Sequence, residues 1–307
     1  MGHTLAESVN GRTTTYAYDA LGRCIRRVVP SGLTSQWTYD PAGRAIELRS
    51  EAGVLAFDHD VTGRETRRRV GDRVTLTQCW DAADRLTVQS LTAMTSVLQE
   101  DRLLQHRAYT HRADGYITEI RDLTSGTRRF DLDDQGRVTG VRAHGWSEGY
   151  AYDTAGNLTH AAAPGHDDPG EREFDGNLIH RVGRTTYEYD AAGRLIRRAR
   201  KLLNGKQHTW TYAWNAEDRL TEAVTPDGDH WRYTYDPLGR RMSKSLLAED
   251  GSAATRTDFV WDDTRLAEQC GPDGTVTTWD YAPGTHLPLT QTDHRAVTRA
   301  PGKSVPH

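Results

Sequence analysis

The sequence predicts an all-β protein: a long antiparallel meander of about twelve β-hairpins joined as a ribbon. Three observations lead there. Aromatic residues recur two apart, as in Tyr16/Tyr18, Trp37/Tyr39, Tyr150/Tyr152, Tyr187/Tyr189 and Trp231/Tyr233/Tyr235, and a period of two places side chains on one face of a strand. An Asp-x-x-Gly-Arg run follows most of these groups. A second turn signal lies midway to the next group, as in Pro30-Ser31-Gly32, Asn204-Gly205, Pro226-Asp227-Gly228 and Asp250-Gly251.

Taken in order, each element of the repeat has its own chemistry. The aromatic strand ends at Tyr-Asp: Tyr18-Asp19, Tyr39-Asp40, Tyr152-Asp153, Tyr189-Asp190 and Tyr235-Asp236. The Asp side chain caps the turn, and three residues on a glycine takes the left-handed backbone position: Gly22, Gly43, Gly156, Gly193 and Gly239. Asp84 and Asp218 stand at that place in two other units. Pro41 and Pro237 follow the Asp, where a fixed φ suits a turn. An arginine comes next, at Arg23, Arg44, Arg194 and Arg240, and opens the return strand. Aligned on the Tyr-Asp position, twelve units follow one another at steps of 21, 20, 21, 31, 21, 20, 22, 15, 25, 21 and 26 residues. Two turns in about 21 residues leave two strands of ordinary length. The unit is therefore a hairpin, and about 24 strands spaced roughly 4.8 Å apart give a ribbon near 115 Å long.

Composition agrees. Only 36% of the chain is hydrophobic, against roughly 45–50% in ordinary soluble domains on a count that includes glycine. Such a chain cannot fill a thick core, yet 8 Trp and 13 Tyr are too many for a disordered polymer. A thin sheet with two partly wet faces fits both facts. The expected organisation is a lead-in over 1–10, the ribbon over 11–290 and a polar, Pro-bearing tail over 291–307 that reads as disordered.

Several function classes are disfavoured. A net charge of −4 gives no strong field for nucleic acid or an anionic membrane, and the basic runs Arg67-Arg68-Arg69 and Arg194 to Lys201 read as solvated strand faces. No apolar run approaches the roughly 20 residues of a membrane span. The start of the chain carries no basic-then-apolar signal region, and Ala6 breaks a myristoylation pattern. Cys24, Cys79 and Cys270 are too few and too scattered for a disulfide framework or a zinc site. His166-Asp167-Asp168 lies in a Gly/Pro-rich insertion and reads as a solvated loop. Asp131 to Gly136 hints at a calcium loop, but Arg142 stands where a bidentate Glu is needed. Asp262-Asp263 reads as a repeat turn. Asn157-Leu158-Thr159 is a formal glycosylation sequence that coincides with a repeat position. No nucleophile elbow or phosphate loop occurs. The expectation is a protein without catalytic, metal-binding or cofactor-binding residues, whose named positions are structural. Each repeat Arg is expected to pair with a turn Asp and to stack on a neighbouring aromatic.

Tandem YDxxGR units, as in TYAYDALGR (15–23), WTYDPAGR (37–44), TYEYDAAGR (186–194) and RYTYDPLGR (232–240), resemble the YD repeats of the Rhs family of bacterial polymorphic-toxin proteins. The same repeats occur in the C subunits of insecticidal toxin complexes, in wall-associated proteins and in teneurins. The resemblance covers roughly residues 10–290, with weaker units at HRADGYIT (111–118), EFDGNLI (173–179) and WDDTRL (261–266). It implies a curved ribbon that spirals into part of a hollow β-shell, enclosing a toxin or effector cargo with neighbouring shell segments as partners. A ribbon of this length would make about one turn around a cargo domain with a radius of gyration near 13 Å. It further implies a bacterial protein exported as part of a larger assembly, by a type VI or other specialised secretion route, or held in the cytoplasm before export. One departure is clear. The family's closing segment, with its DPxGL motif and cleaving aspartates, has no counterpart in the run from WDYAPGTHLPLT (279–290) to the end. Two other readings stay open: an adhesive or glycan-binding surface, and an orphaned fragment with exposed sheet edges.

Overall fold

The computed structural model describes residues 2–94, 101–165 and 170–295. They contain 27 β-strands and no helix, joined as one antiparallel sheet. Strands pair with their neighbours in sequence, for example Arg12–Tyr18 with Cys24–Val28, and Cys24–Val28 with Thr34–Tyr39. The ribbon of hairpins expected from the repeat is the observed architecture.

The strand count exceeds the expected 24 for two reasons. A first strand, Ala6–Val9, pairs with Arg12–Tyr18 across Asn10-Gly11. Both residues take positive φ, 52° and 75°, the conformation of a tight two-residue hairpin turn. At the other end, Thr275–Tyr281 and Pro288–Arg295 make a further hairpin around Tyr281. The ribbon thus begins inside the expected lead-in and runs to Arg295, five residues past the boundary expected at 290. In that last strand Thr290 and Thr292 lie opposite Asp280 and Thr278, and Thr290 donates a 2.9 Å hydrogen bond to Asp280. Residues 296–307 lie outside the described residues, as does His166-Asp167-Asp168.

A regular irregularity accompanies the repeat. Tyr18 stands opposite Cys24 but Ala17 stands opposite Arg26, so Ile25 is an extra residue on the return strand. The same β-bulge leaves out Ile46, Thr66, Thr118, Ile196, Met242 and Ala267 in other units. A bulge adds local twist and re-aims the side chains beyond it. The alternation of the return strand is therefore broken once, two residues after the repeat Arg.

The described residues form two compact units. The first comprises 2–54, 215–223 and 228–295. Its apolar core is small: Val29, Leu48, Met242, Val260 and Ala267. Polar residues buried beside them outnumber it: Thr14, Arg27, Ser35, Asp236, Ser243, Ser245, Thr257, Glu268, Thr277 and Asp280. The second unit comprises the described residues of 55–214 together with 224–227. It buries Leu55, Phe57, Val141, Ala161, Val182 and Ala199, and only two polar residues, Asp122 and Thr185.

Candidate functional site

The repeat turn is a closed latch. Asp19 N–H donates to the Arg23 carbonyl at 3.0 Å, and Gly22 N–H donates to the Asp19 carbonyl at 3.0 Å. Asp19 Oδ1 accepts the backbone N–H of Leu21 and of Arg23, while the Arg23 Nε donates to Oδ2 at 2.6 Å. Asp40 with Arg44, Asp190 with Arg194 and Asp236 with Arg240 repeat this geometry at 2.7, 2.7 and 2.6 Å. Gly22, Gly43, Gly156, Gly193 and Gly239 all have positive φ, and Asp84 and Asp218 hold the same position at 60° and 58°. Backbone N–H donation from the Arg, reinforced by its guanidinium, holds the carboxyls of Asp19, Asp40 and Asp190 below the usual carboxylate range.

The latches are also linked to one another. Arg23 Nη1 donates to the Asp40 carbonyl at 3.3 Å, and Arg219 Nη1 to the Asp236 carbonyl at 2.9 Å. Arg23 stacks 4.7 Å from the Tyr39 ring and Arg137 lies 4.7 Å from the Tyr152 ring. Three repeat Tyr hydroxyls reach back to the carbonyl one residue after the preceding repeat Arg: Tyr39 to Cys24, Tyr152 to Val138 and Tyr235 to Leu220, at 2.9, 2.9 and 2.8 Å. Trp261 Nε1 does the same to Arg241 at 2.8 Å, while Tyr18 and Tyr189 donate to the Thr4 and Ile179 carbonyls. The position therefore suits an aromatic ring that carries a donor. Guanidinium, ring and hydroxyl together pin one hairpin to the next.

Within the first unit, a second set of polar groups joins segments far apart in sequence. Arg27, 7% exposed, donates to Asp262 Oδ2 at 3.2 Å, to Asp280 Oδ1 at 2.9 Å and to the Trp279 carbonyl at 2.6 Å. Ser35 also donates to Asp280 Oδ1, and Tyr16 donates to Asp262 Oδ1 at 3.1 Å. Burial and the Asp262 carboxylate push the Tyr16 hydroxyl far above the ordinary tyrosine range. Ser31 donates to Glu268, which is 1% exposed. Arg12 bridges Asp258 and the Cys270 sulfur, both at 3.1 Å, and Arg240 reaches Glu7 at 2.6 Å. A cleft of about 310 Å³ opens along this seam, lined by Arg23, Trp37, Tyr39, Asp262, Arg265 and Tyr281 among others.

The family model described as RHS Repeat matches residues 2–34 and 214–253. Probable deoxyribonuclease RhsB of Dickeya dadantii (strain 3937) is 28% identical over 291 residues, covering 84% of this chain and 18% of the relative. Double-stranded DNA deaminase toxin A of Burkholderia cenocepacia (strain H111) is 28% identical over 92% of this chain and 20% of its own length. Toxin protein Tse5 of Pseudomonas aeruginosa is 27% identical over 89% of this chain and 23% of its own length. These matches support reading the chain as an Rhs/YD-repeat protein. The chain spans about a fifth of the length of these curated relatives. The crystal structure of TcdB2-TccC3-TEV shares the fold, with a TM-score of 0.50 at 14% identity over 90% of this chain and 18% of that one.

Seen as YD repeats, the remaining sequence candidates find ordinary places. Asn157 takes the repeat-Arg position: its amide donates to Asp153 at 2.8 Å and to the Gly176 carbonyl at 3.3 Å, so the nitrogen of the formal glycosylation sequence is engaged in a turn. Asp131 pairs with Arg142, and Asp133 caps its own YD turn with Arg137 at 2.7 Å. Arg67 and Arg69 face Asp58, and Arg68 pairs with Glu65 at 2.9 Å. Among the described residues the three cysteines are free and no cluster suited to a metal ion occurs; no described helix is long and apolar enough to cross a membrane. The seam is what repeat-based reading missed. Its carboxylates lie in units that depart from the motif. The WDDTRL turn is short, with Asp263 at φ 55°, so Asp262 is not consumed capping a longer turn and serves Tyr16, Arg27 and Arg265 instead.

Proposed function

We propose that this chain is a stretch of the wall of an Rhs-type shell around a toxin or effector cargo, acting by enclosure and not by chemistry. The seam of the first unit carries the reading. Contacts between its early and late segments advance together: Glu7 with Arg240, Arg12 with Asp258, Tyr16 with Asp262, Arg27 with Asp280. Later hairpins thus lie on the first ones in the same order, which is the contact that a wound ribbon needs between successive turns. The relatives support it from another side: proteins named for deoxyribonuclease and for DNA deaminase share this region, as expected of a casing common to different cargoes. Because the chain is about a fifth of those proteins, neighbouring wall segments would complete the enclosure. Latch and seam engage the charged groups of the repeat with one another, which leaves them structural work. Export with the assembled particle follows from the same reading.

Small-angle X-ray scattering of the purified chain tests it. A compact globule of 307 residues has a radius of gyration near 19 Å. A wall segment gives a clearly larger value with a hollow or arc-like profile. A compact particle near 19 Å, or specific retention on a glycan array, would replace enclosure by the adhesive reading.

A further inference from the structure

A ribbon of near-identical hairpins has a problem of alignment: packed on itself, it could slip by one hairpin with the repeat motifs still matched. We propose that Arg12 and Arg27 are the register keys that exclude this slip in the first unit.

The repeat supplies the comparison. Val260 and Asp280 are equivalent positions, each standing just before the bulge of its hairpin, opposite Glu268 and Thr290 respectively. Moved back by one hairpin, Arg27 would meet Val260 in place of Asp280 and Asp236 in place of Asp262. Val260 offers no charge. Both Asp236 oxygens are already held within their own latch by the Arg240 backbone and guanidinium. The guanidinium of Arg27 would then be buried without a free carboxylate, a costly state. Arg12 fares worse. Its partner Asp258 precedes the aromatic Trp261 by three residues, and the residue three before Tyr235 is Arg232. Slip therefore sets a cation on a cation. Ser31 would exchange the Glu268 carboxylate for Ser243, the residue opposite Thr234 in the preceding hairpin. By contrast, Glu7 on Arg240 would simply meet Arg219, another repeat arginine, so that pair holds the segments together without choosing between alignments. The discriminating groups are those placed where the motif is broken.

Pulsed electron–electron distance measurement on the whole chain tests this. Spin labels at Leu21 and Leu287, both well exposed, report the alignment once Cys24, Cys79 and Cys270 are replaced by serine. The parent gives one distance. The variant R12Q/R27M gives a second, discrete population displaced by up to two strand spacings, about 10 Å. The variant R27K with Arg12 intact, which keeps a cation facing both Asp262 and Asp280, returns the single parental distance. A single unchanged distance in R12Q/R27M overturns the assignment. So does a broad, featureless distribution, because the arginines would then hold the segments together without selecting their register. A split population in R27K overturns it as well.

Discussion

Arg27 and Arg68 occupy the same place in the repeat, four residues after Arg23 and Arg64, yet the two units use them differently. In the second unit Arg68 pairs with Glu65 three residues away and lies 5.4 Å from the Phe57 ring. All of its partners belong to its own hairpin. In the first unit Arg27 reaches Asp262 and Asp280, more than 230 residues along the chain. Some of the bulge residues differ between the units too, although Ile25, Ile46 and Ile196 are partly exposed in both. Thr66, Thr118 and Thr159 of the second unit return a hydroxyl to a backbone carbonyl of their own hairpin, whereas Met242 and Ala267 of the first are buried. One repeat thus builds a self-sufficient ribbon in one place and a ribbon packed on itself in another. The difference lies in a few substitutions at equivalent positions, with the turn chemistry kept constant.

The sharpest way to break this comparison is Asp280→Ala. It removes one of the two carboxylates that hold buried Arg27 and the acceptor of Ser35. Truncating one partner of a buried pair costs about 3–5 kcal/mol, here toward the lower end because Asp262 remains. Urea unfolding followed by tryptophan fluorescence should show that loss as an early transition. Gly43→Val comes next. Its φ of 86° forces a β-branched residue into left-handed backbone at about 1–2 kcal/mol, whereas Asp84→Gly, at a site that already has positive φ, should change thermal stability little. Tyr152→Phe deletes the hydroxyl bond to the Val138 carbonyl and should cost about 1 kcal/mol. That effect should be the same for Tyr39→Phe, because both units use this bond alike; unequal losses would show that the linkage between hairpins is not uniform.

The smallest effect is a pH dependence shared by both units. The latch aspartates have folded-state pKa values lowered by their Arg partners. Their stabilisation is present above the unfolded value, about 3.9, and is lost as pH falls through the folded value. Melting temperature should be flat from pH 8 to about 5 and should decline only below about 4. A decline that begins near pH 6.5 would point to histidines instead.

The sequence made the ribbon legible because its determinants are local. Asp19, Gly22 and Arg23 lie within five residues, and the Tyr16/Tyr18 spacing declares the strand. The bulge was hidden because Ile25 or Thr66 fits an unbroken strand as well as a bulged one. The seam was hidden for a different reason: nothing near Arg27 names Asp280 as its partner. A trace was nevertheless present in WDDTRL and WDYAPGT, where the motif is lost. In a repeat protein such losses can mark places recruited to a second task.

The central claim is that equivalent arginines carry unequal loads because only one crosses a seam. Arg27→Met and Arg68→Met, compared by urea unfolding of the full chain, test it most directly. The account predicts a loss of about 3–5 kcal/mol for Arg27→Met and no more than about 1 kcal/mol for Arg68→Met, a partly exposed pair within its own hairpin. Equal losses at the two positions would contradict it.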